Sequence, residues 1–281
     1  MIPRALVLNW RQKAPWAAEE QVEQDLILTR ILIELFSNKK ISKGLAFRGG
    51  TALNKLYFNP PARHSEDIDL VQIDHGPIGT ILDEIRKTID PWLGTPKRKV
   101  GHGRVTLVYK YKPITTLIDK MSIKIEINTR EHFSIFNHQL VKLDMGNAWF
   151  NGEADLTTFS IEELLGTKFR ALYQRKKGRD LFDLALAYKL IPTLNVTQVI
   201  LAFQEYMKRE DKKISKAEFQ GNLLEKQQDR KFCEDIVPLL AKEYQIEYDF
   251  QRDFDIVFNN FVSLLPGEHS KLIKGVNSAY R

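Results

Sequence analysis

Apolar residues recur at helical spacing over residues 19 to 38, where Val22, Leu26, Ile27, Ile31, Ile33, Leu35 and Phe36 make one stripe that Asn38-Lys39-Lys40 closes. Leu45-Ala46-Phe47 then reads as a short strand feeding a Gly49-Gly50 turn. Thr51 is the expected N-cap of a helix over 52 to 58, which Asn59-Pro60-Pro61 terminates. Leu70, Val71 and Ile73 continue a strand that opens at Asp67 and breaks at Asp74-His75-Gly76-Pro77. A further helix is predicted over 78 to 90 from Ile78, Ile81, Leu82, Ile85 and Ile89. Residues 91 to 103 hold Lys97-Arg98-Lys99 among Gly and Pro and read as a basic connection. Alternation over 105 to 111, and more cleanly over 121 to 128, predicts two strands. In the second, Met121, Ile123, Ile125 and Ile127 face one way, and Ser122, Lys124, Glu126 and Asn128 the other.

After Phe159 the period changes to that of helices. Ser160-Ile161-Glu162-Glu163 fits a capping box, and Ile161, Leu164, Leu165, Phe169 and Leu172 form a stripe that Gly178 closes. Helices are expected over 180 to 190, 195 to 208, 216 to 229, 233 to 244 and 252 to 265. The pattern predicts an α+β fold, mixed α and β at first and followed by a helical C-terminal region. The expected division is an α/β domain over 1–155 and a helical domain over 156–281.

With 281 residues, 43% of them hydrophobic and 28% charged, the chain has the composition of a soluble globular protein. No apolar run approaches the ~20 residues of a membrane span, and the N-terminus has neither the apolar stretch nor the cleavage site of a signal peptide. One cysteine, Cys233, excludes an internal disulfide framework and fits a reducing cytoplasm. Nothing in the spacing of the six histidines suggests zinc. A net charge of +6 suits a polyanionic partner without requiring one.

The chemistry concentrates in residues 47 to 70. Gly49-Gly50 lies between a strand and a helix, the setting in which backbone N–H groups cradle an anion, and Thr51, Arg48 and Lys55 add a hydroxyl and positive charge. Neither a P-loop nor a Gly-x-Gly-x-x-Gly fingerprint is present. Asp67 and Asp69 are two apart, so on a strand both carboxylates point to one face. Such a pair suits Mg²⁺ or Mn²⁺ in phosphoryl transfer, and Glu126, on the polar face of a neighbouring strand, is the best third ligand. The alternative is a polar loop capping a strand. Lys168 sits at the edge of its helical stripe, where it either snorkels to water or reaches a triphosphate as a point charge. Arg175 and Arg179 extend the same basic stretch. Asp180 and Asp183 are readable as a cap and a first-turn acid of the next helix.

These residues resemble the nucleotidyltransferase superfamily, and more closely the AbiEii/AbiGii toxin family that includes the MenT toxins of mycobacteria. Its members carry Gly-Gly-Thr-x-Leu, here Gly49-Gly50-Thr51-Ala52-Leu53, and then Ser-x-Asp-Ile-Asp-Leu, here Ser65-Glu66-Asp67-Ile68-Asp69-Leu70. A downstream helical lysine and an Arg-Asp-x-x-Asp element follow, matched by Lys168 and by Arg179-Asp180-Leu181-Phe182-Asp183. The likeness spans roughly residues 40 to 190; the remainder matches only as a helical region. The resemblance implies a nucleotidyltransferase-like mixed sheet core. It also implies transfer of a nucleoside monophosphate from an NTP to an acceptor, the tRNA 3′ end first among the candidates, by a toxin with a separate antitoxin. It makes Asp183 an active-site residue, a base or an orienter of Lys168 and a rival to Glu126 as third carboxylate, and Ser65 a hydrogen-bond donor to a phosphate or a modification target. A cleft between the two halves is then expected, with Lys168, Arg179 and Asp183 completing the site. Two other readings stay open: a protein or small-molecule acceptor, and a nucleotide- or RNA-binding module without catalysis.

Overall fold

The computed structural model describes residues 2–115 and 119–270. The chain divides into two compact units, Met1–Ser160 with Leu239–Gln245, and Ile161–Pro238 with Ile246–Arg281.

The first unit is built on helices α1 (Arg4–Trp10), α2 (Glu19–Ser37) and α3 (Lys39–Gly44), strand β1 (Leu45–Arg48), a short helix α4 (Gly49–Ala52) and strand β2 (Asp67–Gln72). Helix α5 (Gly79–Leu93) and strands β3 (Lys97–Gly101), β4 (Arg104–Tyr111), β5 (Met121–Asn128), β6 (His138–Asn147) and β7 (Phe150–Phe159) complete it. The strands form one mixed sheet in the order β3-β4-β5-β2-β1-β7-β6. β2 runs parallel to β5 and β1 parallel to β7. Ile68 and Leu70 of β2 are buried with Ile123, Ile125 and Ile127 of β5 and Leu107 and Tyr109 of β4, which makes the core face of the sheet. α2 covers β6 and β7 and touches α5, which lies against β4.

α2 is buried nearly all round, polar residues included, because each polar side chain clamps a neighbour. Glu23 accepts from the backbone N–H groups of Ile114 and Thr115, and the Gln24 amide donates to the Ser122 carbonyl at 2.9 Å. The Asp25 carboxylate takes both the Trp10 indole at 2.8 Å and the Lys55 ammonium at 2.6 Å.

Several expectations are corrected. The basic stretch 97–101 is an edge strand, paired with β4 from Lys97↔Val108 to Gly101↔Arg104. All five of its residues are exposed, so no alternation marks it. α5 runs past Pro91 to Leu93 and stops at Gly94, whose φ of +86° only glycine adopts readily. The hairpin β6–β7, in register from His138↔Phe159 to Asn147↔Phe150, lies where no element was expected.

The second unit is helical: α6 (Ile161–Gln174), α7 (Gly178–Leu190), α8 (Val196–Lys208), α9 (Lys216–Gln227), α10 (Arg230–Glu234), α11 (Lys242–Glu247, which starts inside the segment of the first unit) and α12 (Phe250–Asn260). Phe169 stacks on Phe219 at 4.2 Å between centroids and meets Phe203 edge-on at 5.0 Å. A Cβ at Gly166 would stand 2.6 Å from that of Ala202, so glycine sets how closely α6 and α8 approach. Gly178 opens α7 instead of closing α6, because a Cβ there would meet the Phe232 carbonyl oxygen at 2.1 Å. The helix expected over 233 to 244 is broken around Pro238 into α10, a 3₁₀ turn and α11.

Candidate active site

The glycine turn and the acidic strand meet in the first unit. β1 pairs antiparallel with β2 so that Arg48 lies opposite Asp69. The chain leaves β1 through Gly49 at φ +82°, and a Cβ built there would stand 2.2 Å from Asp69 Oδ2. Gly49 is therefore fixed twice, by a left-handed backbone and by the carboxylate occupying its side-chain space. The helix starts at Gly49, two residues before the expected cap, with Arg48 extended at the N-cap position. Thr51 lies inside it, 1% exposed, and its hydroxyl donates 2.5 Å to the Asp67 carbonyl oxygen and lies 2.8 Å from Ser65 Oγ. It ties the helix to the start of β2. From Leu53 to Tyr57 the helix widens to π geometry, a form found frequently at functional sites.

The parallel pairing of β2 with β5 sets Asp67 beside Lys124 and Asp69 beside Glu126. Asp67, Asp69 and Glu126 thus share one face of two adjacent strands, as the alternation implied. Each outer carboxylate has a cation from the sheet. Lys124 Nζ lies 3.4 Å from Asp67 Oδ1, and the Arg104 guanidinium donates to Glu126 Oε2 at 3.1 Å. The period-two rule that located Glu126 also put Lys124 on this face, a signal that was available in the sequence and missed.

The cations expected near the glycine turn are engaged elsewhere. Arg48 donates to Glu131 at 2.5 Å, and Glu131 also accepts from the Asn128 amide. The structure gives the ammonium of Lys55 to Asp25, leaving its side chain 12% exposed. Gly50 accepts from the Asn54 amide through its carbonyl at 2.9 Å. Ser65 is half-buried beside Thr51. His64, just before this segment, is buried against the edge of Trp16 at 5.7 Å between ring centroids. Neither of its ring nitrogens finds a partner among the described residues. Burial, aided by Lys55 and Arg63 against the pull of Asp25, lowers its pKa to about 4.

In the second unit Lys168 is not a snorkelling surface lysine. Its ammonium is 3.0 Å from both Asp180 Oδ1 and Asp183 Oδ2, with its own side chain 8% exposed and both aspartates at 0%. Arg175 grips Asp180 with two hydrogen bonds, at 2.7 and 2.8 Å. Burial alone would raise the Asp180 pKa, but the charges of Lys168 and Arg175 outweigh it and hold the carboxyl well below the usual range. Neither aspartate caps α7, as reading them by position alone suggested; Asp180 and Asp183 face inward and bind α6. Arg179 is half-buried in the first turn of α7. Lys226 donates to the carbonyls of Leu172 and Tyr173 and so satisfies the C-terminal end of α6.

Among the described residues no group of three or more His, Cys, Asp and Glu side chains converges as a ready metal cage. The donor set at Asp67 and Asp69 fits a hard divalent ion all the same, because Mg²⁺ is commonly held by one or two carboxylates with phosphate oxygens and water filling the rest. No helix among the described residues is long and apolar enough to cross a membrane.

In fold the chain is similar to MenT4, a nucleotidyltransferase toxin from Mycobacterium tuberculosis H37Rv, with a TM-score of 0.66 at 17% identity over 95% of this chain and 91% of that one. It is also similar to JHP933 from Helicobacter pylori, with a TM-score of 0.54 at 17% identity over 94% of this chain and 97% of the other. A search of the curated proteins finds no match. Residues 30–260 match the family model described as nucleotidyl transferase AbiEii toxin, type IV toxin–antitoxin system, and the chain belongs to that family.

Proposed function

We propose that this toxin transfers a nucleoside monophosphate from an NTP to the 3′ hydroxyl of tRNA. Family membership implies the NTP substrate and an antitoxin partner. The observation that carries it is the contact of Gly49 with Asp69, which lays an anion-accepting backbone turn directly against a carboxylate that faces the same side as Asp67 and Glu126.

In this reading the triphosphate lies along the turn at Gly49 and Gly50, with Ser65 donating to it. Asp67 and Asp69, with Glu126, would hold Mg²⁺ or Mn²⁺, which supplies charge neutralisation at the α-phosphate and a more acidic acceptor hydroxyl. The acceptor oxygen bonds to the α-phosphorus as the bond to the bridging β-phosphate oxygen breaks. Its proton passes to a carboxylate of the aspartate pair, and pyrophosphate leaves. Thr51 acts by fixing the helix to β2, which sets where the turn and Asp67 stand. The resemblance gives Lys168, Asp183 and Arg179 parts in the same reaction, and within the helical unit Asp183 acts by orienting Lys168.

The test is to incubate the purified protein with each of the four NTPs and total tRNA, and to read the 3′ ends by sequencing. Extension with at least one NTP is expected, and Asp69→Ala should abolish it without altering the melting temperature. Absence of extension with all four would overturn the tRNA reading, while transfer surviving in the Asp69→Ala protein would overturn the role of the carboxylates.

A further inference from the structure

The acid-bearing face of the sheet continues past Glu126. Residues opposite one another across paired strands point to the same side. The register that sets Glu126 against Thr106 also sets Lys124 against Val108, Ser122 against Lys110 and Asn128 against Arg104. One strand further out Lys99 lies opposite Thr106 and Lys97 opposite Val108. Two transverse rows follow, Lys99–Thr106–Glu126–Asp69 and Lys97–Val108–Lys124–Asp67. With strands ~4.8 Å apart, the β3 lysines lie about 14 Å from the aspartates, measured across the sheet.

Charge along these rows changes in a consistent sense. Nearest the aspartates, Lys124 and Arg104 are each matched by a carboxylate, at 3.4 and 3.1 Å. Further out on β3, Lys97 and Lys99 are exposed and make no ion pair among the described residues, and neither does Lys110, which lies beside the rows on β4, opposite Ser122. The face therefore passes from acidic at β2 to unmatched positive at the sheet edge. Lysines on an edge strand also discourage pairing with other sheets, but that role is indifferent to face. Arg98, opposite Leu107, performs it from the reverse side of the same strand.

We propose that this face is the track on which the acceptor strand of RNA lies, its phosphates on Lys110, Lys99 and Lys97 and its reacting 3′ end at Asp67 and Asp69. The proposal rests on the reading of the acceptor as RNA. A single strand suits a sheet face whose cations lie around a buried Thr106, since its backbone charges need point cations and no groove. Lys97→Gln/Lys99→Gln/Lys110→Gln is compared with the wild type and with Arg98→Gln, using tRNA and a dinucleotide as acceptors, after thermal melts establish folding. For tRNA the triple variant should raise KM on the order of tenfold, and the slope of log affinity against log salt should become shallower by about two, near 0.7 for each lost phosphate contact. KM for the dinucleotide, too short to reach β3, should move by less than about twofold, and Arg98→Gln should leave both acceptors there. A triple variant with wild-type KM and salt slope for tRNA overturns the track while leaving the acceptor reading intact, as does an Arg98→Gln effect equal to that of Lys99→Gln. A wild-type protein that extends no RNA overturns the acceptor reading and the track with it.

Discussion

Gly49 and Asp69 are twenty positions apart in sequence and in contact in space. Gly49→Ala places a methyl where Asp69 Oδ2 now lies and adds about 1–2 kcal/mol of left-handed strain. A modest fall in melting temperature is expected together with loss of transfer on the order of a hundredfold or more, because a carboxylate displaced by about an ångström no longer meets the reacting atoms. Single-turnover transfer assays beside thermal melts check both parts. His64 offers a second measurement at this scale. Its folded pKa of about 4 lies below the ordinary value of 6.5, so as pH falls the unfolded chain takes up the proton first. The stability owed to the neutral ring is complete above pH 6.5 and lost as pH falls toward 4, a difference of about 3 kcal/mol. Urea unfolding of His64→Leu across that window should show a stability profile flatter than the wild type by roughly this amount; parallel profiles would mean the ring is solvated. Nothing in the sequence separates a buried His64 from an exposed one, since its neighbours Arg63 and Ser65 are polar; the signal lies in Trp16, which is distant in the chain.

At the scale of elements, α6 and α7 are joined by Lys168 set between two aspartates with no exposure. Lys168→Met removes the ammonium shared by two fully buried carboxylates, and should cost about 3–5 kcal/mol of stability in denaturant titration. Adding Asp183→Asn should restore part of that loss, with a coupling of at least about 1 kcal/mol in the double-mutant cycle. Additive losses would show that the two residues act separately. Reading the sequence identified these residues as functional candidates but left open whether they cap, snorkel or bind, because spacing gives the face of a helix and not what covers it. The strands show the same limit. β5 was legible since Ile123, Ile125 and Ile127 alternate with polar residues. β3 was not, because an edge strand exposed on both sides has no apolar period. β6 and β7 were not legible either, because burial covers only Leu143 and Met145 of β6 and the last four residues of β7, and Gly146, Asn147, Asn151 and Gly152 dilute the pattern around the turn.

For the molecule as a whole, the acid-bearing unit is not a continuous stretch of chain. Residues Leu239–Gln245 return to it: the His64 N–H donates to the Leu239 carbonyl at 2.8 Å, and the Ala241 N–H donates to the Ala62 carbonyl at 2.9 Å. Both contacts fall just before Ser65 and Asp67. A fragment ending at Ser160 loses them, at about 1 kcal/mol for each hydrogen bond, and with them the buried side chains of Leu240 and Ala241. That fragment should show lower amide-exchange protection around Ala62–His64 than the full chain, whereas equal protection would mean the returning segment adds nothing. A strand-bearing first half and a helical second half could be read from periodicity, but this return could not, for seven residues from the far side of Pro238 carry no mark of where they go.

The return also sets an order of events during synthesis. When Ser160 has been made, every strand of the sheet exists, yet the segment that closes over Ala62 and His64 arrives only with Gln245, 85 residues later. At roughly 5–20 residues per second, translation leaves an interval of about 4–17 seconds in which the strand bearing Asp67 and Asp69 is present without its last support. A nascent chain of this toxin thus lacks its finished acidic strand until residue 245 has been made, and ribosome stalling before residue 239 would leave that strand made but incompletely buttressed.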